Sequence, residues 1–236
     1  MGGAGARGGA APGGSKTAST EAAKRLAIEW QARQLPRVVR AGYTDTMLPL
    51  GALFESDGAK KPAMVWFTSV EPDEKAEKRL FDNWDVAIGA RYFNCVKIYV
   101  DDIESKALRE NYAGAGNTVV FLDDAGREVG RVSGTGGGSS GVYASMQKAA
   151  AVDYKKPLTA LVQTYSDFLK RFDKVQGKVA NLEADVADDL AHISRHDCAP
   201  GRKQLKEHEE DLKPLQAERD KLLEQEQSLL KPEVKS

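Results

Sequence analysis

Apolar residues are patterned differently in the two halves of the chain. Between Lys61 and Gly134 they come in short blocks. Met64-Val65-Trp66-Phe67, inside Lys61–Ser69, and Val119-Val120-Phe121-Leu122, inside Thr118–Asp123, are uninterrupted apolar runs. Runs of that length read as strands buried on both faces, the pattern of central strands. Val96, Ile98 and Val100 alternate with Lys97 and Tyr99 and predict a strand over Phe93–Asp101. Asp73–Phe81 and Ser105–Tyr112 read as helices. Asp124-Ala125-Gly126 is turn chemistry before a last strand, Arg127–Ser133. With a further helix over Gly141–Val152, the expected fold class is α/β: a mixed sheet flanked by helices on both faces.

From Asp153 the period changes. Leu158, Leu161, Tyr165, Phe168, Phe172, Val175, Val179, Leu182 and Val186 recur at alternating spacings of 3 and 4, and Leu190 and Ile193 extend the stripe with one slip. Leu205, His208, Leu212, Leu215, Arg219, Leu222, Glu226 and Leu229 keep the same rhythm with fewer apolar members. Both stretches read as coiled-coil seams. Pro157 suits the first turn of the first helix, Pro200-Gly201 is a breaker pair between the two, and Pro214 should kink or loosen the second. A short turn makes the helices antiparallel, so residues 153–236 should form a long coiled-coil hairpin. The first helix should run ~40 residues, or ~60 Å, and the second ~30 residues. On that geometry Tyr165, Phe168 and Phe172 lie on an edge that the shorter helix leaves uncovered. They are candidate contacts for the core domain, a second copy or a protein partner.

The N-terminal part is less regular. Met1–Ser19 is Gly-, Ala- and Ser-rich and too poor in large apolar residues to offset ordering entropy, which predicts a disordered tail. Residues 20–60 read as a lead-in. It holds a helix over Thr20–Gln34 ended by Pro36, an extended Arg37–Thr46, and a short helix over Leu48–Ser56 closed by Asp57-Gly58.

Composition narrows the function classes. A formal net charge of −1 supplies no field for phosphates, which argues against nucleic acid. No apolar run reaches membrane-spanning length. The first residues lack a basic-then-apolar signal pattern, and the compartment is left open. Two cysteines, Cys95 and Cys198, are too few for a disulfide framework.

Lys61-Pro62-Ala63-Met64-Val65-Trp66-Phe67-Thr68, then Val96–Asp101, then Thr118–Asp123 with Gly126-Arg127-Glu128-Val129-Gly130 resemble the thioredoxin-like superfamily, and small bacterial thioredoxin-family domains most. The resemblance implies that residues 61–152 form a thioredoxin-like domain. It also implies a Cys-x-x-Cys motif after the first buried strand, where a helix N-terminus lowers a thiol pKa, and a cis-proline before the hairpin strand. The corresponding loop here is Ser69-Val70-Glu71-Pro72-Asp73-Glu74-Lys75, and Asn117 precedes Thr118. Both halves of the thiol–disulfide site are missing, so the implied redox activity is not carried over. The expected function is a non-catalytic interaction or scaffold module. The alternatives are an atypical single-cysteine thiol enzyme and a metal-binding hairpin tip.

The remaining candidates divide in the same way. Ser69, Glu71, Asp73 and Glu74 could do acid–base work, but residues 61–152 contain no histidine, and capping a helix N-terminus explains them better. Cys95 opens a core strand and reads as buried and inert. Gly136–Gly141 contains G-x-G-x-x-G but follows a hairpin strand, which favours a loop over a dinucleotide site. His192 and His196, four apart, with Cys198 and His208 could hold a zinc ion at the hairpin tip, or could be polar seam residues. No other cofactor is implied. A bond between Cys95 and Cys198 is excluded if the hairpin projects, because a disulfide needs Cα atoms within about 7 Å.

Overall fold

A computed structural model describes residues 24–35, 50–54, 61–71, 73–103, 106–114, 116–134, 136–196 and 199–235. Five strands form one sheet: β1 (Gln31–Ala32), β2 (Ala63–Thr68), β3 (Asn94–Tyr99), β4 (Thr118–Leu122) and β5 (Glu128–Val132), in the order β1-β3-β2-β4-β5. β1, β3 and β2 are parallel, and β4 and β5 run antiparallel to them. The helices are α1 (Glu74–Phe81), α2 (Trp84–Ala90), α3 (Lys106–Ala113), α4 (Gly138–Asp153), α5 (Leu158–Arg195) and α6 (Ala199–Leu229).

Alternation along the central strands divides the core in two. Met64 and Trp66 of β2, Cys95 of β3 and Val119 and Phe121 of β4 point to one face, where α1, α2, α4 and the root of α5 cover them. Val65 and Phe67, Val96 and Ile98, Val120 and Leu122 point to the other, under Tyr112 and Ala113 of α3 and Leu50 of a short 3-10 helix, Leu50–Phe54. Both faces are covered, which is why β2 and β4 are unbroken apolar runs. The backbone of the 3-10 helix packs directly on the β4–β5 turn. A Cβ on Gly126, whose φ is 77°, would meet the Cα of Gly51 at 2.4 Å, so only glycine fits there.

Several expectations need correction. Among the described residues of the expected Thr20–Gln34 helix only 24–26 are helical, and β1 falls inside it; in the expected Leu48–Ser56 helix, Leu50–Phe54 is a 3-10 helix. Ile28 and Trp30 alternate with Glu29 and Gln31, a strand period, and Trp30 packs on Trp66 and Phe81 with ring centroids 5.4 and 5.1 Å away. α2 was not expected. Asn83 caps it by accepting from the amides of Asp85 and Val86, and Val86–Ala90 are all buried. The expected last helix of the domain begins at Gly138 rather than Gly141. The hairpin does not start at Asp153, because Tyr154–Pro157 separate α4 from α5. The Tyr154 hydroxyl donates to the carbonyl of Tyr92, and Tyr154 bridges Val234 of the C-terminal tail. Pro200 and Gly201 lie within the first turn of α6 rather than between the helices, where proline has no amide bond to lose. α6 is continuous through Pro214. The Met1–Ser19 tail, Arg37–Thr46, Asp57-Gly58, Pro72 and Cys198 lie outside the described residues.

α5 and α6 pack on each other as an antiparallel hairpin of about 57 and 47 Å. The seam has no slip. It runs from Val186 through Asp189 to Ile193 in unbroken 3–4 spacing, and Leu190 is 51% exposed. Asp189 accepts or shares a hydrogen bond with Nδ1 of His208 at 2.8 Å, across the interface.

Candidate functional site

Thr68 is paired with Tyr99 and Phe67 with Thr118, so β2 and β3 end where β4 begins. This end of the sheet gathers the Ser69–Asp73 loop, the 3-10 helix Val100–Asp102 and residues 116–117. Asp73 is the N-cap of α1. Its Oδ1 accepts from the amides of Lys75 and Ala76 at 3.2 and 3.1 Å, and Glu74 stands in the first turn. That is the capping role, which draws an orphaned helix terminus onto a carboxylate. Ser69 Oγ donates to the Glu71 carbonyl at 2.8 Å, and the Val70 amide donates to Asp101 Oδ2 at 2.9 Å. Val70 itself is 55% exposed.

Asn117 adopts φ 49°, in the left-handed region that asparagine tolerates, and no described residue is joined by a cis peptide. Thr68 Oγ1 donates to its Oδ1 at 3.2 Å, joining the ends of β2 and β4. Ser69, Asp73 and Asn117 are therefore engaged in caps and turns, while Val70 and Glu71 are exposed, as are Asp73, Asp101 and Asp102. Cys95 lies in the sheet, 6% exposed, with Sγ 3.4 Å from the Ala90 carbonyl. Burial pushes its thiol up to about 12, against attack at neutral pH.

The hairpin root corrects the expectation for Tyr165, Phe168 and Phe172. They are at most 5% exposed and belong to the core cluster, so they offer no uncovered edge. The second helix leaves them uncovered only in part, and of the three covers expected it is the core domain that is observed. α2 and α4 also pack on α5, and the N-terminal segment lies over it. Arg25 Cζ sits 4.2 Å from the Phe172 ring centroid, and Arg25 Nε donates to Glu226 Oε2 at 3.2 Å. Arg91 Nη2 is 3.8 Å from Glu226 Oε1, and the Tyr165 hydroxyl donates to the same oxygen. Burial, then the Glu226 hydrogen bond, holds the Tyr165 phenol well above its usual range. Glu226 thus ties three elements together at the base of the hairpin.

At the tip, the rings of His192 and His196 lie 5.4 Å apart, but His208 turns to Asp189 rather than to them. Among the described residues no three His, Cys, Asp or Glu side chains gather around a point fit for a metal ion. The glycine-rich segment joins β5 to α4. Gly138 opens the helix, and Gly137 offers no side-chain cap.

Glu226, Arg25, Arg91, Asp101 and Asp153 are not singled out as site residues by the sequence. Glu226 had a signal, a charge at a seam position. Arg25, Arg91 and Asp101 had none, since their partners lie far along the chain. Compared with protein-family models and with curated proteins, the chain matches none.

Proposed function

We propose that the chain is a thioredoxin-like protein-interaction or scaffold module whose redox loop has been converted to a structural cap, with the outer half of the hairpin as its reach element. The observation that carries this reading is the Ser69–Asp73 loop. In the position where the superfamily has its thiols, Asp73 caps α1 and Asp101 holds the Val70 amide. Support for the superfamily reading comes from the parallel β2–β3 pair followed by the antiparallel β4–β5 hairpin, the element order on which the sequence resemblance rests. The only described cysteine is buried, which disfavours the single-cysteine enzyme. The outer half of the hairpin is the segment with the least to do in holding the core together, and so the part available to a protein partner.

Two measurements test the reading. The full chain should show no reduction of insulin disulfides, and Cys95 should react with an alkylating agent only after denaturation. Turnover of a disulfide substrate that is lost on Cys95→Ser would overturn it. A partner captured by the full chain should be lost when residues 186–212 are replaced by a short turn. Full retention would move the interaction surface off the hairpin.

A further inference from the structure

The hairpin tip carries two imidazoles that the fold does not use. His192 stands in the last turn of α5, and His196 is its C-cap. The His196 amide donates to the His192 carbonyl at 2.9 Å, so one closed helical turn sets the second residue above the first. Both side chains are exposed, and among the described residues neither ring nitrogen has a hydrogen-bond partner. The third histidine differs, since His208 is engaged by Asp189 at 2.8 Å. Ring geometry decides what the free pair can hold. Zinc bonds an imidazole nitrogen at about 2.0–2.1 Å, and two rings sharing one tetrahedral ion then have centroids about 5 Å apart. The rings of His192 and His196 have centroids 5.4 Å apart, with 55° between their planes. Small side-chain rotations, which exposed rings make freely, bring both onto one ion.

We propose that His192 and His196 form a two-imidazole site for a borderline divalent transition ion, of the zinc, copper and nickel class, which clips the last turn of α5 at the outer end of the hairpin. Imidazole selects these ions over magnesium and calcium, which take oxygen ligands. Two protein ligands leave the remaining coordination positions to water, as an exposed site allows. The charge of the surroundings does not oppose the ion. The C-terminus of α5 is the negative end of a helix dipole, which favours a cation there. Asp188, one turn before His192, sets a carboxylate against the charge of Arg195, and both are exposed. The site expected from His192, His196, Cys198 and His208 is thereby narrowed to the two residues that share a helical turn.

Calorimetric titration of the full chain with zinc, nickel and magnesium chloride tests the site. Zinc and nickel should each bind as a single ion per chain, and magnesium should not bind. His192→Asn and His196→Asn should each weaken nickel binding by at least the roughly tenfold that losing even an outer partner costs a metal site. Both substituted rings are exposed, so the variants keep the fold. His208→Asn and Cys198→Ala should leave the affinity unchanged, because neither residue supplies a ligand. In NMR of the full chain, paramagnetic nickel should broaden the ring protons of His192 and His196 well before those of His208. Zinc should slow exchange of the His196 amide several-fold, because the ion closes the turn that this amide holds. Binding retained in the His192→Asn/His196→Asn double variant, or lost equally on His208→Asn, would mean an adventitious ion only. Loss on Cys198→Ala would put a thiol in the site and overturn the two-imidazole assignment.

Discussion

The inner and outer halves of the hairpin share one heptad rhythm and have different surroundings. From Leu158 to Val179 every seam residue of α5 is buried, beneath α2, α4, α6 and the segment around Arg25. Beyond Val179 no residue of α5 is buried, and Leu182, Val186 and Ile193 are half-covered. The residue types follow this division. Tyr165, Phe168 and Phe172, with ring centroids 5.4 and 5.9 Å apart in sequence, fill a space with several walls. Smaller aliphatics suffice where a single helix is opposite. A regular seam therefore reports which face of a helix is turned inward, but not how much is buried there. The inner half belongs to the core of the α/β unit, and the outer half reaches away from it.

The sharpest way to break this comparison is to truncate one residue on each side of Val179. Phe172→Ala removes a ring that is 2% exposed and packed under a guanidinium, and should cost about 3–5 kcal/mol in urea unfolding. Val186→Ala, in the outer half, should cost no more than about 1 kcal/mol, because its cavity opens to water. Equal losses would mean that the outer half folds as tightly as the root.

Glu226→Ala should come next, at about 2–3 kcal/mol by the same measurement. It removes the carboxylate that Arg25, Arg91 and the buried Tyr165 phenol share, with the Glu226 side chain only 12% exposed. Glu226→Gln should recover part of the loss, since its amide oxygen still accepts from Tyr165. A cost below about 0.5 kcal/mol would reduce the cluster to a surface ion pair.

Much of this architecture was legible. The apolar runs of β2 and β4, the turn at Asp124-Ala125-Gly126, the Asp73 cap and both long helices follow from spacing and turn chemistry. The losses have physical causes. α2 is short, and its capping Asn83 was hidden between two apolar stretches. Ile28 and Trp30 alternate as a strand does, but only a neighbouring strand makes that alternation meaningful, and β3 lies far along the chain. The Leu190 slip came from preferring an apolar residue to a charged one at the seam. Asp189 holds the position because His208 answers it from α6. Of the candidate site, the capping role of the loop could be read locally. The Val70–Asp101 and Thr68–Asn117 bonds depend on strand pairing that no local pattern encodes.

Removing the outer half altogether sharpens the comparison at smaller cost. With residues 186–212 replaced by a short glycine-containing turn, the buried residues of α5 and Leu222 of α6 are all retained. Tm should stay within about 3 °C of the parent, as expected for a segment outside the cooperative core. A collapse of the α/β unit would show that the outer half stabilises it after all.

The smallest effect belongs to the pair that corrects the seam. Asp189 and His208 are 13% and 25% exposed, at a position where heptads normally place leucine. Replacing one partner leaves the other facing an apolar seam, so Asp189→Leu should cost about 1 kcal/mol. Replacing both should restore or exceed parental stability, because two packed leucines need no desolvated partners. The double-mutant cycle should therefore show coupling well beyond the uncertainty of unfolding measurements. What the polar pair supplies is register, since a leucine pair tolerates neighbouring alignments and other copies of the hairpin. Sedimentation should find the double variant more self-associated than the parent at equal concentration. Additive energies with unchanged association would leave Asp189 and His208 as half-covered surface residues, and the outer seam would then be aligned by its aliphatic residues alone.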